Sequence, residues 1–430
     1  MKRFAPHDDV IGYLHKLRTL PVDRDLARAV ANIVVQVRDV GDLALLESAR
    51  QFDAPALKAL QVTHEELLAA QVPSGHLDAI RQSLARVLAF HREQLQILTR
   101  SLEHLAWSRD GVGQQFRVLE SVGVYVPGGR AAYPSSVLMN AGPAAAAGVS
   151  KIVVCTPARH DGTLHPSVLV ALRELQALTG VQLDVFKVGG AAAIAGMAYG
   201  TQSVLRVDKI VGPGNRYVNE AKRQVWGSVG LDGYAGPSEV AVLADESAYP
   251  HIAAADLLTQ IEHAPDNVAF LVTLSEAKAD EVLASLDQLL RPAPRAKSMR
   301  QALNDHGHIF VARDLDQAIE IVNAIAPEHL SLAVADPHAL VPRIHNAGCI
   351  LLGEWTPESA GDFVAGPSHT LPTGGAARFG SPVNVLDFLK VQSVIGLSRA
   401  QLQNLLPVIQ AFGEMEDFPT HALGAAIRFD

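Results

Sequence analysis

Two cysteines, Cys155 and Cys349, are all that 430 residues contain, which is too few for a disulfide framework and suits a reducing compartment. A basic excess is missing as well. The chain has 36 Lys plus Arg against 45 Asp plus Glu, a formal charge of -9, with no basic run, so no nucleic-acid partner is expected. Long apolar runs are scarce: the most apolar stretch, 137–149, contains Asn140, Gly142 and Pro143 and is too short to cross a bilayer. Residues 1–25 carry charges throughout, where a signal peptide needs an apolar core. A cytoplasmic chain with no membrane partner is the expectation. Neither the dinucleotide fingerprint G-x-G-x-x-G nor the phosphate loop G-x-x-x-x-G-K-[ST] occurs.

What is present reads as a folded α/β protein, with 48% hydrophobic and 19% charged residues. Residues 1–24 form a short polar lead-in expected to pack as an appendage, and residues 25 to about 100 show apolar spacing of helical period. From Ser121 the texture changes. Val122-Gly-Val-Tyr125, Asp184-Val-Phe-Lys-Val and Arg206-Val-Asp-Lys-Ile-Val each run as a strand into a glycine turn and then a helix, which implies a parallel sheet with ligand-facing loops at its carboxyl edge. After Glu239 a second series of strands begins at Val240, Val268, Ile309 and Cys349, with helices near 250–263, 275–290, 314–325 and 337–347. The tail after Ser381 reads as mostly helical. Two Rossmann-like parallel-sheet domains with small N-terminal and helical C-terminal appendages are therefore expected.

Candidate chemistry gathers late in the chain. Gln260 and His263 are i and i+3 near the end of the helix that starts at Pro250, so both heads would leave one face. On spacing alone this is also how an ordinary polar helix end looks. Glu328 and His329 follow the helix-stopping Pro327 and could serve two proton transfers. Asp362, Ser368, His369, Glu416 and His421 complete the polar cluster, although Asp362 alone reads equally as a cap or turn residue. Imidazole and carboxylate brought from separate elements suit a divalent ion such as zinc. The glycine turns read equally as sharp turns or as anion cradles, while Cys155, inside an apolar strand, reads as a packed hydrophobe.

Several longer segments carry a resemblance: Tyr125-Val-Pro-Gly-Gly-Arg through Asn140, Gly212-Pro-Gly-Asn215, Ala235-Gly-Pro-Ser-Glu239, Gln260-Ile-Glu-His-Ala-Pro265, Ala326-Pro-Glu-His-Leu330, and Gly361-Asp362 through His369-Thr-Leu-Pro-Thr-Gly-Gly. Together and in this order they resemble the histidinol dehydrogenase family over nearly the whole chain. The resemblance implies a zinc enzyme that oxidises L-histidinol through L-histidinaldehyde to L-histidine with two NAD+, the last steps of histidine biosynthesis. By motif match Gln260, His263, Asp362 and His421 would hold zinc, Glu328 would activate water, and His329 would act as the base. Ser238, His369 and Glu416 would seat substrate, together with the zinc residues and His329, and Tyr125, Asn215 and the position of Ala192 would meet NAD. The family is a homodimer whose tail reaches the partner's site, so Glu416 and His421 would serve the other subunit. The domain scheme that follows groups 25–121 with 239–381 as the zinc-bearing domain, sets 122–238 as the NAD-binding domain, and leaves 382–430 as a tail at the dimer interface.

Three departures are visible. Ala192 stands where the family has a Gln that contacts NAD, Ser368 stands where Asn is common, and Asp-Phe-Pro-Thr separates Glu416 from His421 in place of Gly-Leu-x-Ala. They leave open a paralogue with the same zinc and NAD chemistry acting on another amino alcohol or polar alcohol.

Overall fold

The computed structural model describes residues 1–18, 23–103, 111–128, 131–233 and 236–430. They divide into two compact units, Met1–Arg92 with Leu119–Phe388, and Glu93–Val118 with Leu389–Asp430. In chain order the first strands are β1 (Lys2–Phe4), β2 (Val112–Val118), β3 (Ser121–Tyr125), β4 (Lys151–Thr156), β5 (Gln182–Lys187), β6 (Lys209–Val211) and β7 (Gly230–Leu231). The rest are β8 (Glu239–Ala244), β9 (Val268–Thr273), β10 (Gly307–Val311), β11 (His329–Ala333), β12 (Cys349–Leu352) and β13 (Leu389–Ile395).

Both expected parallel sheets belong to the first unit. One has the order β1-β10-β9-β8-β11-β12 and the other β5-β4-β3-β6-β7, and every pairing in them is parallel. Their central strands are buried along nearly their whole length, as in Val240-Ala-Val-Leu-Ala of β8, because helices cover both faces. On one face the helices Pro250–Ile261, Glu276–Leu290 and Ala296–His306 supply Leu257, Ile261, Val282 and Leu303 to a core under Val240, Val242, Leu271 and Ile309. On the other, Leu14, Ile321, Val322 and Ile325 pack against Phe270, Phe310 and Leu330.

The lead-in is not an appendage. Residues 2–4 form β1 and extend the six-stranded sheet beside β10, and the helix Val10–Arg18 buries Val10 and Leu14. At its end Arg18 makes a two-pronged pair with the buried Glu239, Nη2 standing 3.1 Å from Oε2, and Nη2 also donates to the Ile325 carbonyl at 2.7 Å. A charge as buried as Glu239 requires such a partner, and that ties the first helix to the start of β8.

The tail also differs from expectation. Its residues 385–388 form a 3-10 turn rather than an α-helix and lead into β13, which pairs antiparallel with β2 from Leu389↔Val118 to Ile395↔Val112. The second unit is thus a two-stranded ribbon followed by the helices Arg399–Met415 and Pro419–Ala426, and it draws in residues 93–118, which the sequence pattern left with the N-terminal half. Alternating Val391, Ser393 and Ile395 carry little core signal, which is why this strand is hard to read from sequence. The helix expected over 337–347 closes early, as Pro337–Leu340 followed by a 3-10 turn containing Pro342.

Arg18→Ala should cost about 3 kcal/mol of stability in urea unfolding, because it strands a buried carboxylate. A loss below about 0.5 kcal/mol, the level of an exposed pair, would contradict the anchoring role of the lead-in.

Candidate functional site

The expected residues gather at opposite edges of the two sheets. Tyr125 ends β3, Ala192 lies in the first turn of the helix Gly190–Tyr199 after β5, and Asn215 caps the helix Arg216–Val225 after β6, so all three sit at the carboxyl edge of the five-stranded sheet. The other cluster forms where strands of the six-stranded sheet begin. Ser238 precedes β8, Gln260 lies at the end of the helix leading to β9, and Glu328 immediately precedes β11, which His329 opens beside Cys349 of β12. Ligands usually meet such sheets at the carboxyl edge; here Glu328 and His329 stand at the amino edge.

At the carboxyl edge the backbone approaches closely. Gly212 has φ of +118°, and a Cβ there would lie 2.2 Å from the Tyr125 carbonyl oxygen, so only glycine fits. Lys222, which is 1% exposed, donates to the Gly212 carbonyl at 2.6 Å and to Asp232 at 2.7 Å, while Asp232 accepts the Gly212 N–H at 2.8 Å. Both backbone groups of the turn are thereby fixed. Tyr125 Oη accepts the Gly190 N–H at 3.2 Å. Asn215 Oδ1 accepts the Tyr217 and Val218 N–H groups, and its remaining side-chain polar group is the NH2. Ala192 is fully buried. A cavity of about 660 Å³ opens beside this edge, lined by Pro127, Gly128, Thr156, Pro157, Arg159 and Asp53 among others.

At the amino edge the helix Leu315–Ile325 ends in Ala326 with φ of 49°, a left-handed turn that is costly for alanine. Pro327 follows and stops the helix, delivering Glu328 and His329 side by side. Glu328 is anchored by the Glu239 N–H, which donates to its Oε2 at 2.8 Å. The buried His329 ring is faced by three carboxylates: Nε2 is 3.5 Å from Asp362 Oδ1, and Nδ1 is 3.7 Å from Glu358 and 3.9 Å from Glu328. Two residues along β11, Ser331 Oγ donates to Asp256 at 2.7 Å, which fixes the helix Pro250–Ile261 so that Gln260, one turn later, faces His329. Asn267 holds the Gln260 carbonyl at 2.6 Å.

Gln260 Nε2 donates to Glu358 Oε1 and stands 3.5 Å from His329 Nδ1. Its side-chain oxygen is buried without a hydrogen-bond partner, and so is Glu358 Oε2. Two orphaned acceptors in one buried cluster call for an electropositive guest. Glu358 is the residue that motif reading missed. It opens the short helix Glu358–Phe363, in which Asp362 sits four residues on, so helical spacing back from Asp362 was the available signal. Asp362 is accordingly neither a cap nor a turn residue.

His263 differs from its expected placement. The helix ends at Ile261 and His263 lies in the following turn, its N–H donating to the Gln260 carbonyl at 3.1 Å; it is exposed while Gln260 is buried. It still interacts with Asp362 and His369 through their charges. His369 is half-buried in the loop beside Ser368, whose hydroxyl donates to the Met139 carbonyl at 2.7 Å. Glu416 caps the helix Arg399–Met415 and His421, stacked on Phe418, lies in Pro419–Ala426; both are exposed and both belong to the second unit. Among the described residues no group of three His, Cys, Asp or Glu side chains is gathered tightly enough to hold a metal ion.

Comparison with known proteins decides the lineage. A sequence model of the family described as histidinol dehydrogenase matches residues 18–429. The chain belongs to the histidinol dehydrogenase family. It is 44% identical over 418 residues to the histidinol dehydrogenase of Halalkalibacterium halodurans, 96% of each chain being covered, and 45% identical over 408 residues to that of Bacillus subtilis, with 93% and 92% covered. A crystal structure of histidinol dehydrogenase from Elizabethkingia anophelis superposes with a TM-score of 0.89 at 32% identity, covering 100% of this chain and 98% of that one. The membership is of an oxidoreductase family, and no helix among the described residues is long and apolar enough to cross a membrane.

Electrostatics bind the cluster into one titrating unit. Burial raises Glu328 from its ordinary 4.5 to about 7, against the charge of His329, and raises Glu358 to about 8. Burial alone would discharge His329, but Glu358, Asp362 and Glu328 outweigh it and lift the imidazole to about 10. Asp362 resists its own burial and stays below its ordinary value because of His329. Each raised group binds its proton more tightly folded than unfolded, so its stabilisation is complete at low pH and is lost as pH rises through about 7, 8 and 10 in turn. With metal removed, the chain should lose on the order of 1–3 kcal/mol more between pH 5 and pH 8 than its Glu328→Gln variant, read by urea unfolding. Parallel pH dependences would contradict this placement of the Glu328 proton.

Proposed function

We propose that the chain is a zinc-dependent histidinol dehydrogenase, oxidising L-histidinol through L-histidinaldehyde to L-histidine with two NAD+ in succession. The observation that carries the reading is the adjacent Glu328–His329 pair, buried and facing Gln260 and Asp362, in a chain whose family match runs from residue 18 to 429.

The donor set fits a borderline-hard cation. Gln260 and Asp362 offer oxygen and His263 offers imidazole nitrogen, and the unpartnered Gln260 oxygen is what a metal ligand looks like without its metal. His421 would complete the set. Zinc bound there would orient and polarise the amino alcohol, and NAD+ would accept the hydride. Tyr125 and the Asn215 NH2 offer hydrogen-bonding groups to the cofactor at the glycine turns, but the buried Ala192 offers none.

The chain's own residues divide the proton work. His329 can take the hydroxyl proton only when the carboxylates around it are engaged elsewhere; Asp362 turned toward a cation is one such engagement. The second oxidation adds water to a carbonyl, and Glu328, held by the Glu239 N–H and poised near pH 7, suits removal of that water's proton. Ser238, His369 and Glu416 would hold the polar ends of substrate. The exposed Leu405, Val408, Phe412, Met415 and Leu423 of the second unit form an apolar surface of the kind that subunits cover, which supports a homodimer in which Glu416 and His421 serve the partner. A biosynthetic dehydrogenase of this kind suits a cytoplasmic setting.

NADH formation with L-histidinol tests the assignment, and turnover only of another alcohol would favour the paralogue. Glu328→Gln should slow oxidation of supplied L-histidinaldehyde by about 100-fold or more while leaving the Kd for L-histidinol within a few-fold. Equal slowing of the alcohol and aldehyde half-reactions would remove Glu328 from its role.

A further inference from the structure

Of all the polar groups around the site, Glu358 is the most completely enclosed. It is 1% exposed, one oxygen takes the Gln260 NH2 and also lies 3.7 Å from His329 Nδ1, and the other has no partner. None of the roles discussed for the reaction uses it, although burying a carboxylate without a task is costly.

An amide has two faces of opposite character, and which one meets a ligand is set by what holds the other. Gln260 is the last residue but one of its helix and its main-chain carbonyl is fixed by Asn267, while the side chain can still rotate by half a turn about its final bond. In one orientation the NH2 meets Glu358 and the oxygen is unpartnered, as observed; in the other, two oxygens would collide and the NH2 would point at any incoming cation. The carboxylate thus selects the orientation that leaves the amide oxygen free for a cation. Because Glu358 and Asp362 share one short helix at i and i+4, the same element that presents Asp362 also sets Gln260.

We propose that Glu358 is a positioning residue for the cation site: by accepting the Gln260 NH2 it locks the amide with its oxygen turned toward the metal, and so couples two donors, Gln260 and Asp362, through one helix. The inference rests on the zinc reading above. Outer residues of this kind typically contribute 10- to 100-fold in metal affinity.

The test is zinc affinity of the full-length enzyme by chelator competition, with Co2+ absorption spectra as a second readout. Glu358→Ala should weaken zinc at least tenfold, yet change it less than about twofold when introduced into Gln260→Ala, since it acts through that amide. At saturating Co2+ its visible bands should move toward those of Gln260→Ala. Wild-type affinity and unchanged bands in Glu358→Ala would overturn the proposal, as would an undiminished effect in the Gln260→Ala background. Should Glu358→Ala fail to fold, Glu358→Gln takes its place: its NH2 competes for the Gln260 oxygen, so zinc should weaken severalfold, and wild-type affinity would again overturn the idea. A wild-type enzyme that binds no zinc would sink the zinc reading itself, a result distinct from tight wild-type binding that ignores Glu358.

Discussion

A protonated imidazole buried at the start of a central strand is tolerable only if negative charge surrounds it, and His329 has three carboxylates within 4 Å. That requirement organises the six-stranded sheet around its amino edge. Glu328 is its chain neighbour and is held by the first N–H of β8; Glu358 and Asp362 arrive on one short helix after β12; Gln260 arrives at the end of the helix pinned by the Asp256–Ser331 bond. The charge balance reaches further, because Glu239, whose N–H anchors Glu328, carries its own buried carboxylate and must be matched by Arg18. The first helix of the chain is therefore part of the electrostatic support of the site.

The two sheets divide the labour by edge. Around Gly212 the five-stranded sheet offers backbone turns, closely packed and locked by the Lys222–Asp232 pair, which suits a large ligand held by main-chain groups. The six-stranded sheet offers side chains whose protons are shared across a buried network. Ser368 links the two, because its hydroxyl holds the Met139 carbonyl in the helix that follows β3 while its neighbour His369 faces Asp362.

Much of this was legible from residues alone. The three strand–glycine–helix junctions, the second α/β series and the pairing of Glu328 with His329 all carry local signals, namely period, glycine and a helix-stopping proline. What escaped did so for physical reasons. Residues 2–4 are too short for any period to register, yet backbone pairing with β10 makes them a strand. The ribbon strand β13 has a half-polar pattern whose partner lies some 270 residues away in β2. Glu358 has no motif of its own, and only the helix that carries Asp362 reveals it. His263 reads as part of the helix that starts at Pro250, but the chain leaves that helix at Ile261 and the residue lies in the turn beyond it.

The central claim is that the unpartnered oxygen of Gln260 marks a cation site next to the His329–Glu328 pair. A crystal structure of the zinc-loaded enzyme with L-histidinol, with anomalous data at the zinc edge, measures this directly. The account predicts a single strong peak at about 2.0–2.2 Å from Gln260 Oε1 and an Asp362 oxygen. A peak elsewhere in the chain, or ordered substrate beside His329 with no peak at Gln260, would contradict it.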